Sequence, residues 1–208
     1  MSASDFELLS KYKIPLPRYA IAAPSEKLDV LAKKVGFPLA MKVLSPQATH
    51  KTEKGGVALE VSSIREAEET RIKLLKKYEG LEVEGLLLQQ MVGGKDSVEL
   101  IVGGKKDAQF GQMIMLGFGG IFVEVFKDVS FRICPIEKED AKEMIRELRA
   151  YPILAGARGR KPINEGKLIS VLLKVSDLLV NEDPKELDIN PLIVSWQGCM
   201  AVDVRIMR

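Results

Sequence analysis

The 208-residue sequence holds one histidine and two cysteines. Two cysteines cannot build a disulfide framework, and Cys134 and Cys199 both fall in strand-like apolar runs. They read as reduced packing residues, not as a bridge or a metal pair. An excess of charge of either sign is also missing: 31 Lys and Arg stand against 29 Asp and Glu, with no basic tail or cluster. That balance argues against a nucleic-acid partner. The longest apolar runs, such as "GLLLQQMV", have strand length and cannot span a bilayer, so no membrane role is expected. The opening "MSASDFELLSKYK" carries acidic residues and no apolar h-region, so it is not read as a signal peptide. No fixed-period repeat and no low-complexity segment is present. What remains is 46% hydrophobic residues, enough for one large domain or two small lobes of a soluble, cytoplasmic α/β protein.

Local signals divide the chain. "SDFE", Ser4 to Glu7, predicts a capping box opening a first helix that stops before "IPLP". "RYAIAA" reads as a strand, Ser25 as the start of a helix ending at Gly36, and "PLAMKVL" as a short strand. A polar loop and the strand "GVALEV" come next, then a second capping box, Ser63 to Glu66. Its helix carries Ile64, Ala67, Leu74, Leu75 and Tyr78 on one face. This half reads β-α-β-β-α-β, a small mixed sheet covered by helices. "VGGKD", Val92 to Asp96, is the expected lobe boundary, giving lobes 1–91 and 92–208. Beyond it lie strands "SVELIVG", "QMIMLGF", "IFVEVF" and "SFRIC", helices near Glu137–Arg149 and Asn164–Asn181, and a closing hairpin. The fold class is therefore α/β (α+β), two lobes with a ligand cleft expected between them.

The residues that carry chemistry are few. Lys42 sits in an apolar strand, where a lysine either snorkels to solvent at an edge or offers its ammonium to phosphate. Glycine pairs recur at Gly55-Gly56, Gly93-Gly94 and Gly103-Gly104 and in "GFGG". Some of these suit backbone approach to phosphate and others are hairpin turns. None matches a P-loop or a dinucleotide fingerprint. Asp188 and Asn190 are two apart on a strand and share a face. With the final turn at Gln197-Gly198, residue 196 faces 199 and Asp203 faces about 192, one same-face step from Asn190. Such an oxygen cluster suits Mg²⁺. Glu99 is either a cleft-facing acceptor, towards a ribose hydroxyl, or the polar side of an alternating strand. His50, in "SPQATHKTEKGGV", is a phosphorus nucleophile when neutral, or an incidental surface residue.

Three stretches, "GFPLAMKVLSPQATHKTEKGGV", "DAQFGQMIMLGFGGIFVEVFKDVSFRICPI" and "ELDINPLIVSWQGCMAVD", closely resemble the β subunit of ADP-forming acetyl-CoA synthetases. That subunit is an ATP-grasp domain related to the β chain of succinyl-CoA synthetase. The resemblance implies that Lys42 contacts the nucleotide phosphates, and that Gln89 to Val92 hold the adenine, followed by Glu99. A glutamate is expected where this chain has Gln90. It implies that Asn190 and Asp203 bind Mg²⁺ and that Asp188 hydrogen-bonds a phosphohistidine. It makes His50 a second phosphorylated histidine, with Gly55 and Gly56 letting its loop swing. The implied reaction is acetyl-CoA plus ADP plus phosphate giving acetate, CoA and ATP. It also implies an α subunit, in an α2β2 assembly, that carries the CoA-binding domain and the first phosphohistidine. The rival readings are a self-contained ATP-grasp ligase joining a carboxylate to an amine, and a non-catalytic nucleotide sensor.

Overall fold

The structure is a computed structural model, and it describes residues 2–45, 56–119 and 127–208. Backbone contacts divide it into two compact units: Met1–Phe6 with Pro17–Met91, and Glu7–Leu16 with Val92–Arg208.

The first unit is a four-stranded sheet in the order β1-β4-β2-β3, formed by β1 (Tyr19–Ala22), β2 (Leu39–Leu44), β3 (Val57–Val61) and β4 (Gly85–Gln90). Every hydrogen-bonded pair is antiparallel, which corrects the expected mixed sheet. The reason is topological. β4 returns between β1 and β2, so the two strands joined by α2 (Asp29–Val35) never touch. Alternation along the strands sends Leu39, Met41, Val43, Leu86 and Leu88 into a core with α2 and α3 (Ile64–Lys77). Ala67, Leu74 and Tyr78 of the predicted helix face are in that core.

Caps explain the helix ends. Ser63 accepts the Glu66 N–H as expected, whereas the Glu66 carboxylate returns to Ser62. The first helix, α1, runs Ala3–Lys11, its cap two residues earlier than "SDFE" suggested, with the Asp5 carboxylate accepting the Ser2 N–H at 2.8 Å. Likewise α2 begins at Asp29 and not at Ser25, because Glu26 closes a turn onto the Ala23 N–H at 3.0 Å.

The second unit is a six-stranded sheet in the order β10-β8-β5-β6-β7, with β9 on β8. Its strands are β5 (Val98–Asp107), β6 (Gly111–Phe118), β7 (Val129–Ile133), β8 (Glu186–Val194), β9 (Cys199–Ala201) and β10 (Val204–Met207). The helices are α4 (Lys138–Glu147), the short α5 (Tyr151–Leu154) and α6 (Glu165–Glu182). Glu137 and Asp140 cap α4 reciprocally, and Asn164 caps α6 through the Lys167 N–H at 3.1 Å. The predicted strand "IFVEVF" lies outside the described residues. Gly103 and Gly104 are interior strand positions, not a turn. At Gly104 a Cβ would run into the side chain of Leu179, so the missing side chain is what lets α6 lie close on β5.

Candidate functional site

The last hairpin does not have the expected register. Ser195 and Gly198 exchange backbone hydrogen bonds at 2.8 and 3.2 Å, so the two turn residues are Trp196 and Gln197. Gly198 closes the turn with φ +152°, a conformation that favours glycine. Moving the turn by one residue moves the register by two, which keeps every face but changes every partner. Val194 pairs with Cys199, not Trp196, and Asp188 pairs with Arg205. Asp203 consequently stands opposite Asn190 and not residue 192, with the Asn190 N–H donating to the Asp203 carbonyl at 3.2 Å.

A second irregularity sharpens the cluster. Between Ile189, opposite Val102, and Leu192, opposite Leu100, β8 has one residue more than β5. That bulge contains Asn190 and Pro191; proline cannot donate to a ladder, and bulges re-aim side chains. Asn190 is exposed while Ile189 and Leu192 are fully buried.

Asp188, Asn190 and Asp203 are thus brought together in the second unit. Burial pushes the Asp188 carboxyl above its ordinary range. The charges of Glu186 and Asp203 add to that shift, and the cross-strand Arg205 guanidinium opposes it. One Asp203 carboxylate oxygen accepts the Val204 N–H at 2.8 Å, which fixes the side chain. The donor set is an amide and carboxylates, all hard oxygens, and it fits Mg²⁺ with one or two protein ligands. Among the described residues no group of three His, Cys, Asp or Glu side chains is placed to hold a metal, so a site here needs oxygens from a ligand or water.

Lys42 lies on β2, an interior strand, and its residue is only 4% exposed. The reading of Lys42 as an edge lysine reaching solvent is thereby excluded. Gln89, likewise buried, points from β4 to the same face of the sheet as Lys42, since Lys42 is opposite Leu87 and Ala40 is opposite Gln89. That face is opposite the helix-covered core. Where a glutamate was expected, the Gln90 side-chain oxygen accepts the Arg18 Nε–H at 3.1 Å. Arg18 directly follows Pro17 in a segment with no motif to single it out.

Val92 opens the second unit, just before Gly93 and Gly94, whose φ values are +127° and +158°. Glu99 is exposed on β5, and its carbonyl accepts the Gly119 N–H at 2.7 Å. Gly56 has a steric reason to be glycine: a Cβ there would overlap the buried hydroxyl end of Tyr78. His50 and Gly55 lie outside the described residues. Both cysteines are free, and burial pushes the Cys199 thiol up to about 12, so it is no nucleophile. Among the described residues no helix is long and apolar enough to cross a membrane.

A family model described as an ATP-grasp domain matches residues 2–207. The chain belongs to the ATP-grasp family. This ATP-grasp chain is 42% identical over 207 residues to the β subunit of acetate–CoA ligase (ADP-forming) I of Pyrococcus furiosus, spanning 97% of its own length and 88% of the relative's. It is 43% identical to acetate–CoA ligase (ADP-forming) I of Archaeoglobus fulgidus, of which it spans 30%. Among solved structures it is similar to acetyl-coenzyme A synthetase 1 of Ca. Korarchaeum cryptofilum in complex with coenzyme A and Ca-AMPCP. The TM-score is 0.90 at 35% identity, over 98% of this chain and 90% of that one. The same enzyme with coenzyme A and Mg-AMPPCP, its phosphohistidine segment pointing towards the nucleotide site, matches with TM-score 0.86 at 34% identity, covering 100% of this chain and 91% of that one.

Proposed function

We propose that this chain is the nucleotide-binding, phosphoryl-transferring β subunit of a cytoplasmic ADP-forming acetate–CoA ligase. The enzyme interconverts acetyl-CoA, ADP and phosphate with acetate, CoA and ATP. The observation that carries the reading is the placement of Asp203 opposite Asn190, with Asp188 two residues away, in a chain that aligns along nearly its whole length with such a subunit.

Lys42 contacts the nucleotide phosphates, Gln89 to Val92 the base and Glu99 the ribose. Asn190 and Asp203 hold Mg²⁺, which when bound neutralises phosphate charge. Asp188 accepts a hydrogen bond from the imidazole N–H of a phosphohistidine, fixing its tautomer. A carboxylate held half out of water gains more from such a donor than a solvated one does, which fits the raised pKa of Asp188. His50 carries the phosphoryl group. In the ATP-consuming direction its ring nitrogen attacks the γ-phosphorus, the bond to the β-phosphate oxygen breaks, and ADP leaves. The CoA chemistry belongs to a partner subunit, in an α2β2 assembly.

The single histidine makes the test clean. The chain, assembled with its CoA-binding partner, is incubated with γ-³²P-ATP and the subunits are separated. Acid-labile, alkali-stable label is expected on this chain, absent in His50→Ala and reduced in Asp188→Ala. Turnover without label on the wild-type chain would remove the relay.

A further inference from the structure

The turn between α5 and α6 has features that the functional reading does not use. Gly156, Arg158 and Gly159 have positive φ, at +92°, +58° and +77°, while Ala157 between them does not. Glycine adopts that conformation freely, whereas the Cβ of arginine makes it costly. Where handedness alternates from residue to residue, successive backbone N–H groups converge into a concavity that takes anions. Among the described residues the N–H groups of Ala157, Arg158 and Gly159 have no backbone acceptor. The turn is tied down on both sides. Arg160 donates to the Lys95 and Ser97 carbonyls at 3.2 and 2.9 Å, and the Lys161 ammonium lies 4.3 Å over the Trp196 ring. A Cβ at Gly156 would stand 2.7 Å from the Arg160 carbonyl oxygen, so the chain closes tightly on itself. The charge here is not compensated. Arg158, Arg160 and Lys161 put three cations within four positions, and among the described residues none of them meets a carboxylate. Arg158 is exposed, and its guanidinium has no partner among the described residues.

We propose that this turn binds a phosphate group, with donors from the Arg158 guanidinium and from the N–H groups of Ala157, Arg158 and Gly159. The strained conformation is what singles out the side chain. Glycine would hold this backbone with less strain, and arginine adds only what its fork of donors reaches outside the chain. A phosphate is favoured over a carboxylate because it offers oxygens to the fork and to the backbone groups at once, and its second charge suits uncompensated cations. The site shares no residue with Lys42, Asp188, Asn190 or Asp203 and does not depend on the functional reading. Free phosphate, a nucleotide and coenzyme A all carry the group, and the titration separates them.

Inorganic phosphate, Mg-ADP and coenzyme A are titrated separately into the full chain at low ionic strength, followed by phosphorus NMR and calorimetry. Wild type, Arg158→Gly and Arg158→Lys are compared. The ligand that uses the turn should bind Arg158→Gly about tenfold or more weakly, the scale of one lost charge-assisted contact. Arg158→Lys keeps the charge and loses the fork, so its affinity should fall between the two. The remaining ligands should bind all three proteins alike, which identifies the source of the phosphate. Relief of strain outweighs the freedom that glycine gives the unfolded chain, so Arg158→Gly should melt about 1–4 °C above wild type. Weaker binding by a more stable protein is then a lost contact and not a lost fold. Equal affinities of wild type and Arg158→Gly for all three ligands would overturn the site. Weaker binding accompanied by a lower melting temperature would make Arg158 a structural residue and overturn it equally.

Discussion

Adjacent glycines on one strand should respond unequally to the same methyl group. Gly104 faces α6, where an added Cβ would sit 2.8 Å from the Leu179 Cδ1 atom, and Leu179 is fully buried. Overpacking of that kind costs about 1–3 kcal/mol. Gly104 is not in a positive-φ conformation, so alanine also recovers about 0.4–1 kcal/mol from the restricted unfolded chain. Gly104→Ala should therefore destabilise the protein by roughly 0.5–2 kcal/mol. Leu179→Ala alone should cost about 2–5 kcal/mol through the cavity it leaves. In the double variant the new methyl occupies part of that cavity. The combined loss should then fall short of the sum by about 1 kcal/mol or more, beyond the roughly 0.3–0.5 kcal/mol scatter of independent sites. Urea unfolding followed by circular dichroism, with the slope checked for constancy, supplies the four free energies. Gly103→Ala is the control, since its methyl comes closer than ordinary contact only to the movable tip of Met115, and it should change stability by no more than about 0.5 kcal/mol. Additive losses, or an unchanged Gly104→Ala, would refute the close approach of α6 to β5 as the reason for glycine there.

Lys42→Ala should weaken Mg-ADP binding by about 1.5–3 kcal/mol, roughly 10- to 150-fold, and calorimetry that finds equal affinity would displace Lys42 from the phosphates. The raised Asp188 pKa means that the folded state holds this proton more tightly than the unfolded chain. Its contribution to stability is therefore present at low pH and is lost as pH rises from the ordinary carboxylate range through the raised value. Asp188→Asn should remove that loss, melting above wild type at neutral pH while phosphoryl transfer falls; identical pH profiles of the melting temperature would count against it. Glu147 behaves in the opposite sense, since its bonds from Arg132 and Ser130 lower its pKa to about 2. Stability from Glu147 is present above about pH 4.5 and fades as pH falls towards 2. Because the side chain is 50% exposed, Glu147→Gln should cost no more than about 1 kcal/mol at neutral pH, and acid titration of the melts should show the variant losing less.

How far sequence and structure each reach can be seen in single residues. Ser63, Asn164 and Gly36 mark helix ends because capping is a contact between near neighbours, and the strands "PLAMKVL" and "SVELIVG" announce themselves by apolar content. The sharing of one strand face by Asp188 and Asn190 follows from the two-residue period and survived an error in register, because that error was itself two residues. The stretches around Lys42, His50 and Asn190 resemble the ATP-grasp family closely enough to place the chain in it, and the family match spans residues 2–207. Other features depend on pairings between residues far apart in the chain. The strand order β1-β4-β2-β3 buried Lys42 on an interior strand and made every neighbour antiparallel, which no local window of sequence encodes. Where the last hairpin turns was decided by Ser195 and Gly198 closing on each other, and the bulge at Asn190 and Pro191 exists only relative to β5. The two glycines at 103 and 104 look alike as letters. They differ because the sheet turns one towards α6 and the other towards an open notch beside Asp188, and facing is a property of the assembled sheet.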